Sequence, residues 1–361
     1  VSVVIPSFNS AQWLPSTLEA LTAALSRTSW AAEIIVVNDG STDDTTDVVN
    51  GFALTSPYTV RLLHQANEGR FRARWEGLKA AKSEWLLILD SRIPMHVNSL
   101  QYLQASMATP PFADAWNCHI VPDPTSPLVG RFWEVPTYVF WGEYLAKPRP
   151  MLITPENFDR VPKGTTCLFV RKALYEAASL ASWPEDNAKL ASDDTKLLRY
   201  IAGKSPIRID PNFAATYRPR TTLPQFLEHS WNRGTMFVDS YAGTSPSRNA
   251  ILVALVVIPP LFSALLVVVA SMGNWVAAVV LLACGFSAAM IPLFLAAARG
   301  CPPRAQLAFL TYIAPFGAVF WAGLARGLVL HRRSFSIKGR LTAGKRVVHH
   351  AREAARETRA Q

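Results

Sequence analysis

Cysteine is scarce in this chain. The four in 361 residues, Cys118, Cys167, Cys284 and Cys301, form no CxxC pair and have no histidine at metal-ligand spacing. That pattern argues against a disulfide framework or a structural zinc site and for reduced, buried thiols. Also lacking are GxGxxG behind a strand, GxxxxGK[ST], HExxH and GxSxG, which leaves dinucleotide oxidoreductase and P-loop readings weak. There is no internal repeat and no low-complexity linker. Acids are the minority, 26 against 36 Lys and Arg, and the resulting charge of +10 fits a globular domain joined to a membrane part. No initiator Met is present; Val1 already lies inside an apparent strand, so a Met and a short leader are expected ahead of it.

What is present is unevenly spread. Half of the residues are hydrophobic, and the densest run lies between Ile251 and Leu330, so the chain reads as one sizeable soluble α/β domain followed by a membrane part. In the soluble part, Val1 to Pro6 is a continuous apolar run, followed by Leu14, Leu18, Leu21 and Leu25 at helical spacing. The alternation recurs with Glu33 to Val37 and the helix after Ser41, then with Val60 to His64 and the helix around Arg70 to Ala81. Trp85 to Asp90 closes the series as a fourth strand. Continuous apolar strands alternating with amphipathic helices predict a mainly parallel sheet covered on both faces. Further strands are expected at Ala115 to Val121, Thr166 to Val170 and Ile207 to Asp210. The aromatic-rich Arg131 to Tyr144 reads as core packing or as a platform for an amphipathic acceptor.

Polar residues collect at the ends of the first four strands: Phe8 and Asn9, Asn38 and Asp39, Asn67 and Gly69, and Asp90 to Arg92. In the second of these, a carboxylate is followed by the turn glycine Gly40. Ser41 or Thr42 then stands ready to cap a helix whose first turn carries Asp43 and Asp44. Ligands of open α/β sheets bind at this edge.

The stretches VSVVIPSFN, EIIVVNDGSTDDTT, NEGRFRARWEGLKAAKSEWLLILD and SDDTKLLRYIAG together resemble, in order and spacing, the family 2 glycosyltransferases. The resemblance covers roughly residues 1 to 220. It implies a GT-A catalytic domain, Rossmann-like with a mainly parallel mixed sheet, here followed by a helical transmembrane region. It also implies a nucleotide-sugar donor, UDP-linked by the suitability of a carboxylate for a uracil N–H. Asp39 matches the position whose carboxylate meets the base, with Asn38 replacing the acid usual before it. Pro6 and Phe8, with Asn9, match the end of the first strand that lies against the nucleobase; a core role for Phe8 competes. Asn67 and Gly69 resemble the NxG element lining the same nucleotide.

Asp90-Ser91-Arg92 stands where the resemblance implies a DXD motif holding Mg²⁺ or Mn²⁺ on the donor diphosphate. Arginine cannot ligate a metal. Either Arg92 clamps the diphosphate with its guanidinium, or it points away while Asp90 and water hold the ion. Asp193-Asp194 resembles the family's ED motif, with Asp194 the implied general base of an inverting transfer. The same pair, behind Ser192, also suits a helix N-terminus.

Phe226 to Val238 interleaves apolar residues with His229 and Arg233 and reads as an interfacial helix. Trp231 and Arg233 are candidates for contact with acceptor or phosphate, a lipid headgroup being the competing partner for the arginine. Trp231-Asn232-Arg233-Gly234 is not the QxxRW of processive synthases. Ile251 to Met272 and Trp275 to Ala298 are each long enough to cross a bilayer. Ala305 to Leu330 carries Pro315, Gly317 and Arg326, so it spans, re-enters or lies at the interface. From His331 the tail has nine Lys or Arg against two Glu, a membrane-surface anchor or a solvated tail, with no nucleic-acid motif beside it.

The expected organisation is therefore a GT-A domain over 1–222, an interfacial segment over 223–250, helices over 251–330 and a basic cytoplasmic tail over 331–361. The positive-inside rule favours two spans plus a re-entrant or interfacial third segment, in the plasma membrane with the catalytic domain cytoplasmic. The expected acceptor is lipid-linked or a cell-surface polysaccharide, with polyprenyl phosphate as a variant. A nucleotidyltransferase, a non-catalytic nucleotide-sugar-binding membrane module and a structural assembly protein are the alternatives.

Overall fold

The structure, a computed structural model, describes residues 1–184, 188–192 and 194–335. In chain order the elements begin with β1 (Ser2–Ser7), α1 (Leu14–Leu25), β2 (Glu33–Asp39), α2 (Thr45–Thr55), β3 (Thr59–Gln65), α3 (Arg70–Ala80) and β4 (Trp85–Leu89). They continue with α4 (Ser99–Met107), β5 (Ala115–Pro122), α5 (Glu134–Ala146), β6 (Met151–Ile153), β7 (Cys167–Arg171), α6 (Lys172–Ala181), α7 (Thr195–Lys204) and β8 (Ile207–Tyr217). The last four helices are α8 (Leu223–Tyr241), α9 (Pro246–Ser271), α10 (Trp275–Ala298) and α11 (Pro303–Leu330). Two compact units result. One holds residues 1–125 and 147–219; the other holds 126–146 and 220–335 of the described chain.

The first unit is one eight-stranded mixed sheet in the order β3-β2-β1-β4-β7-β5-β8-β6. The first four strands are parallel, as the alternation of strands and helices predicts, although β3 carries Arg61 and is only half-buried. Strand β7 enters antiparallel to both β4 and β5, β5 pairs parallel with β8 across an irregularity at Cys118/His119, and β6 closes the edge antiparallel to β8. The expected strand at 207–210 extends to Tyr217, and the three-residue β6 was too short to carry a periodic signal.

Every residue of β1 is buried. Val3 and Ile5 share a core with Leu14, Leu18, Leu21 and Leu25 of α1. On the opposite face α3 lies so close that a Cβ on Gly77 would stand 2.2 Å from Val4 Cγ1.

The expected cap of the second helix is corrected. Asn38 Oδ1 accepts the Ser41 N–H at 2.9 Å, an Asx-type turn that lengthens the loop, so α2 begins only at Thr45. Asp43 Oδ1 takes the Thr45 N–H at 3.1 Å. Ser41 and Thr42 face the loop after β1 instead.

In the second unit, Phe132 of the aromatic segment is core: fully buried, it packs on Phe226, Phe309 and Phe316 with ring centroids 5.1, 5.3 and 4.5 Å away, whereas Phe140 is exposed. α9, α10 and α11, of 26, 24 and 28 residues, are each long and apolar enough to cross a membrane. Gly273, at φ +74°, makes the turn between α9 and α10, and Asn274 Oδ1 caps α10 through the Ala277 N–H at 3.1 Å. α11 is one continuous helix through Pro315. It lies along α8: a Cβ on Gly323 would meet the Trp231 carbonyl oxygen at 2.2 Å, one on Gly234 would meet that of Phe320 at 2.5 Å, and Thr235 Oγ1 donates to Gly323 O at 3.1 Å.

Gly77→Ala is expected to destabilise the protein by about 1–3 kcal/mol through overpacking against Val4. Gly51→Ala, in α2 with open space around it, is expected to raise stability by about 0.5–1 kcal/mol. Chemical denaturation of the two variants side by side checks both signs.

Candidate functional site

Asp39 ends β2 almost fully buried. Its Oδ1 accepts the Glu68 N–H at 2.8 Å and Gln65 Nε2 at 2.6 Å, and its Oδ2 accepts the Gly69 N–H at 2.9 Å. A carboxylate offers about four lone-pair sites, so one on Oδ2 remains for a ligand N–H. The strand-end acid and the Asn67–Gly69 loop, predicted as two separate nucleotide contacts, are thus one hydrogen-bonded unit. Gly69 stands at φ +94°, and a Cβ there would fall 2.5 Å from Lys189 Cα. Only glycine lets the 188–190 turn come this near.

At the end of β1, Asn9 is, among the described residues, the one non-glycine at positive φ (+46°). Its N–H donates to Ser41 Oγ at 3.0 Å and its Oδ1 accepts the Thr42 N–H at 2.8 Å, so the loops after β1 and β2 are buttoned together. Phe8 is 46% exposed and therefore not a core residue; Pro6 is buried within the strand. Asn38 donates Nδ2 to Thr46 Oγ1 at 3.0 Å, a structural use of the amide.

Asp90 follows β4, its Oδ1 2.6 Å from Nη2 of Arg74, which is 2% exposed. Arg74 was missed in the sequence; its signal was an arginine on the apolar stripe Phe71, Trp75, Leu78 of α3. The Arg92 guanidinium lies 4.8 Å over the Trp13 ring. Among the described residues no cluster of three or more His, Cys, Asp or Glu could hold a metal ion.

Asp194 is the N-cap of α7, and its Oδ1 accepts from Ser192 Oγ and Thr195 Oγ1, each at 3.0 Å. Both hydroxyls fall on one oxygen. Asp193 lies outside the described residues. The turn leading to Asp194 is the one seated on Gly69. From the other side comes the loop Lys163–Thr166: Gly164 N–H donates to Asn117 Oδ1 at 3.0 Å, and Thr166 O accepts the Asp90 N–H at 2.8 Å. The Lys163 ammonium rests 4.2 Å from the Phe158 ring, whose neighbour Arg199 of α7 lies at 4.3 Å. Burial lowers Lys163 from 10.5 to about 8, with Asp159 and Asp194 opposing and Arg199 assisting.

Trp231 and Arg233 belong to the second unit. Trp231 is 36% exposed with Arg326 at 5.7 Å, and Arg233 lies 4.6 Å over Trp133.

The mixed sheet, with four parallel strands whose carboxyl edge carries these acids and loops, has the GT-A fold. The family model for Glycosyl transferase family 2 matches residues 2–175, which therefore form a domain of that family. An uncharacterized glycosyltransferase of Escherichia coli, YibD, is 37% identical over 91 residues, 25% of this chain and 25% of its own length. An undecaprenyl-phosphate 4-deoxy-4-formamido-L-arabinose transferase of Aeromonas hydrophila is 35% identical over 92 residues, 25% of this chain and 28% of its own. The chain thus spans about a quarter of the length of these curated relatives. A mannosyltransferase of Pyrobaculum calidifontis, solved with GDP-Man and Mn²⁺, shares the fold with a TM-score of 0.56 at 18% identity, covering 91% of this chain and 86% of that one.

Since the unfolded chain binds the Lys163 proton more tightly than the folded one, stability at this site rises with pH between about 8 and 10.5. Lys163→Met is expected to raise the melting temperature at neutral pH, with the gain fading as pH climbs through that window. Thermal unfolding across pH measures it.

Proposed function

We propose that this chain is an inverting glycosyltransferase. It moves a sugar from a nucleotide-sugar donor, UDP-linked, to a lipid-linked or cell-surface polysaccharide acceptor at the plasma membrane. The observation that carries this reading is the contact of Gly69, whose N–H is bound to Asp39, with the turn that delivers Asp194. That contact supports a site in which the nucleotide loop and the segment carrying the residue at the family's base position share one edge.

In this reading Asp39, Pro6, Phe8, Asn9 and Asn67 hold the nucleoside. Ser192 and Thr195 occupy one oxygen of Asp194 and leave Oδ2 to face the acceptor. As the acceptor oxygen bonds to the anomeric carbon, its proton passes to Asp194. The bond from that carbon to the diphosphate breaks, and its electron pair leaves with the diphosphate oxygen. Attack from the far side inverts the anomeric centre.

Three apolar helices favour an acceptor that partitions into the bilayer, since anchoring raises its effective concentration. The undecaprenyl-phosphate transferase relative favours a second reading, in which the nucleophile is a polyprenyl phosphate oxygen needing little help from a base. The close seating of α11 on α8 supports the two-span topology. α8 carries Glu228, Arg233 and Asp239, which suit the interface rather than the hydrocarbon. With α11 held along α8, α9 and α10 are left as the two crossings of this reading.

Purified full-length protein is expected to hydrolyse or transfer from one member of a nucleotide-sugar panel. Asp194→Ala should lower turnover by about 10²–10⁴-fold with nucleotide affinity unchanged. Absence of binding to every donor would favour a structural role, while binding unaccompanied by turnover would favour a non-catalytic nucleotide-sugar module.

A further inference from the structure

The three residues after β4 do not make a cation site. Asp90 is the one carboxylate among them and is already ion-paired to the buried Arg74 at 2.6 Å. Ser91 is consumed as well: its Oγ shares a hydrogen bond with Ser10 Oγ at 2.8 Å, and its C=O accepts from Thr17 Oγ1 at 2.9 Å. Arg92 follows with a positive charge. A Mg²⁺ or Mn²⁺ ion needs a shell of hard oxygens with net negative charge, and this strand end offers it a neutralised carboxylate beside a guanidinium.

The same segment brings in a second arginine. After Arg92 the chain runs antiparallel beside the end of β8: Met95 bridges Ala215, the Thr216 N–H donates to Pro94 O at 3.0 Å, and the Arg218 N–H donates to Arg92 O at 3.3 Å. Arg92 and Arg218 are therefore cross-strand neighbours, although 126 positions separate them. Both side chains come to rest on the start of α1. Arg92 lies over the Trp13 ring at 4.8 Å, and Arg218 Nη1 donates to Ser16 Oγ. Trp13 and Ser16 are three residues apart, hence on one helix face. A guanidinium held over an indole face is attracted to it and stays charged.

We propose that Arg92 and Arg218 together form a metal-free cradle for the donor's diphosphate, seated on Trp13, the N-cap of α1, and on Ser16 in its first turn. The pair supplies to the departing nucleoside diphosphate the positive charge that a divalent ion would otherwise provide. Two guanidinium forks match the paired oxygens of a diphosphate better than those of a monophosphate. This assignment rests on the nucleotide-sugar reading above, and it adds Arg218, Trp13 and Ser16 to the donor site.

The test measures binding of UDP, UMP, GDP and GMP to the full-length protein in detergent, with excess EDTA and then with Mn²⁺. The expected result is that one diphosphate binds at least tenfold more tightly than its monophosphate in EDTA, with little change on adding Mn²⁺. Arg218→Gln and Arg92→Gln should each weaken the diphosphate about tenfold and leave the monophosphate unaffected. Arg218→Lys, which keeps the charge without the fork, should fall between. Equal affinity for mono- and diphosphate in EDTA, or tight diphosphate binding only with Mn²⁺, overturns the cradle and leaves the nucleotide reading standing. Equal loss of both nucleotides in Arg218→Gln also overturns it, by making the residue structural. Failure of all four to bind overturns the nucleotide reading itself.

Discussion

The carboxyl edge of the sheet depends on α3 lying against β1 as closely as Gly77 permits. The absent Cβ would stand 2.2 Å from Val4, so any side chain there would push the helix outward. Two ends of the site hang on that seating. The N-cap of α3 is Gly69, whose N–H reaches Asp39, and one turn into the helix is Arg74, whose guanidinium reaches Asp90. A shift of α3 by the width of a methyl group would move both carboxylates' partners at once. Close packing on the buried side of a helix is thus converted into fixed positions for two acids on the polar edge.

The polar edge is organised chiefly by loops holding one another. Asn9 ties the loop after β1 to the loop after β2, Asp39 ties β2 to the loop after β3, and Thr166 ties Asp90 to the loop before β7. Each tie satisfies a backbone N–H near a strand end, where the sheet no longer supplies a partner. Preorganisation of this kind leaves little side-chain motion to freeze when a ligand binds. The second unit uses another device. α8 and α11 approach through Gly234 and Gly323 until backbone meets backbone, and Thr235 donates across the seam.

Much of this was legible from one dimension. Three of the four parallel strands appeared as uninterrupted apolar runs, β3 being broken by Arg61, and the first helix as leucines at a spacing of three and four. Asp39, Gly69 and Asp90 stood out as polar residues at successive strand ends, and Asp194 through the resemblance of its segment to the family's ED motif. Less legible were residues whose role needs a partner far along the chain. Arg74 sat in plain view on an apolar stripe, yet nothing local tells that Asp90 is what it meets. Arg218 carried no signal, because its neighbour Arg92 is brought to it only by the return of the chain beside β8. Ser41 and Thr42 looked like helix caps, but the Asx turn at Asn38 moved the helix start beyond them.

The sequence by itself determined the class of sheet, the positions of its first four strands along the chain, the helical apolar region and the acids at the edge. Those properties follow from periodicity and local turn chemistry, which act over a few residues. Tertiary structure alone decided that Asp39 is committed to the Gly69 loop and Asp90 to Arg74. It alone decided that α11 runs unbroken along α8, and that Arg218 joins Arg92 beyond β4. Each is a pairing across many residues, set by which helix can approach which strand.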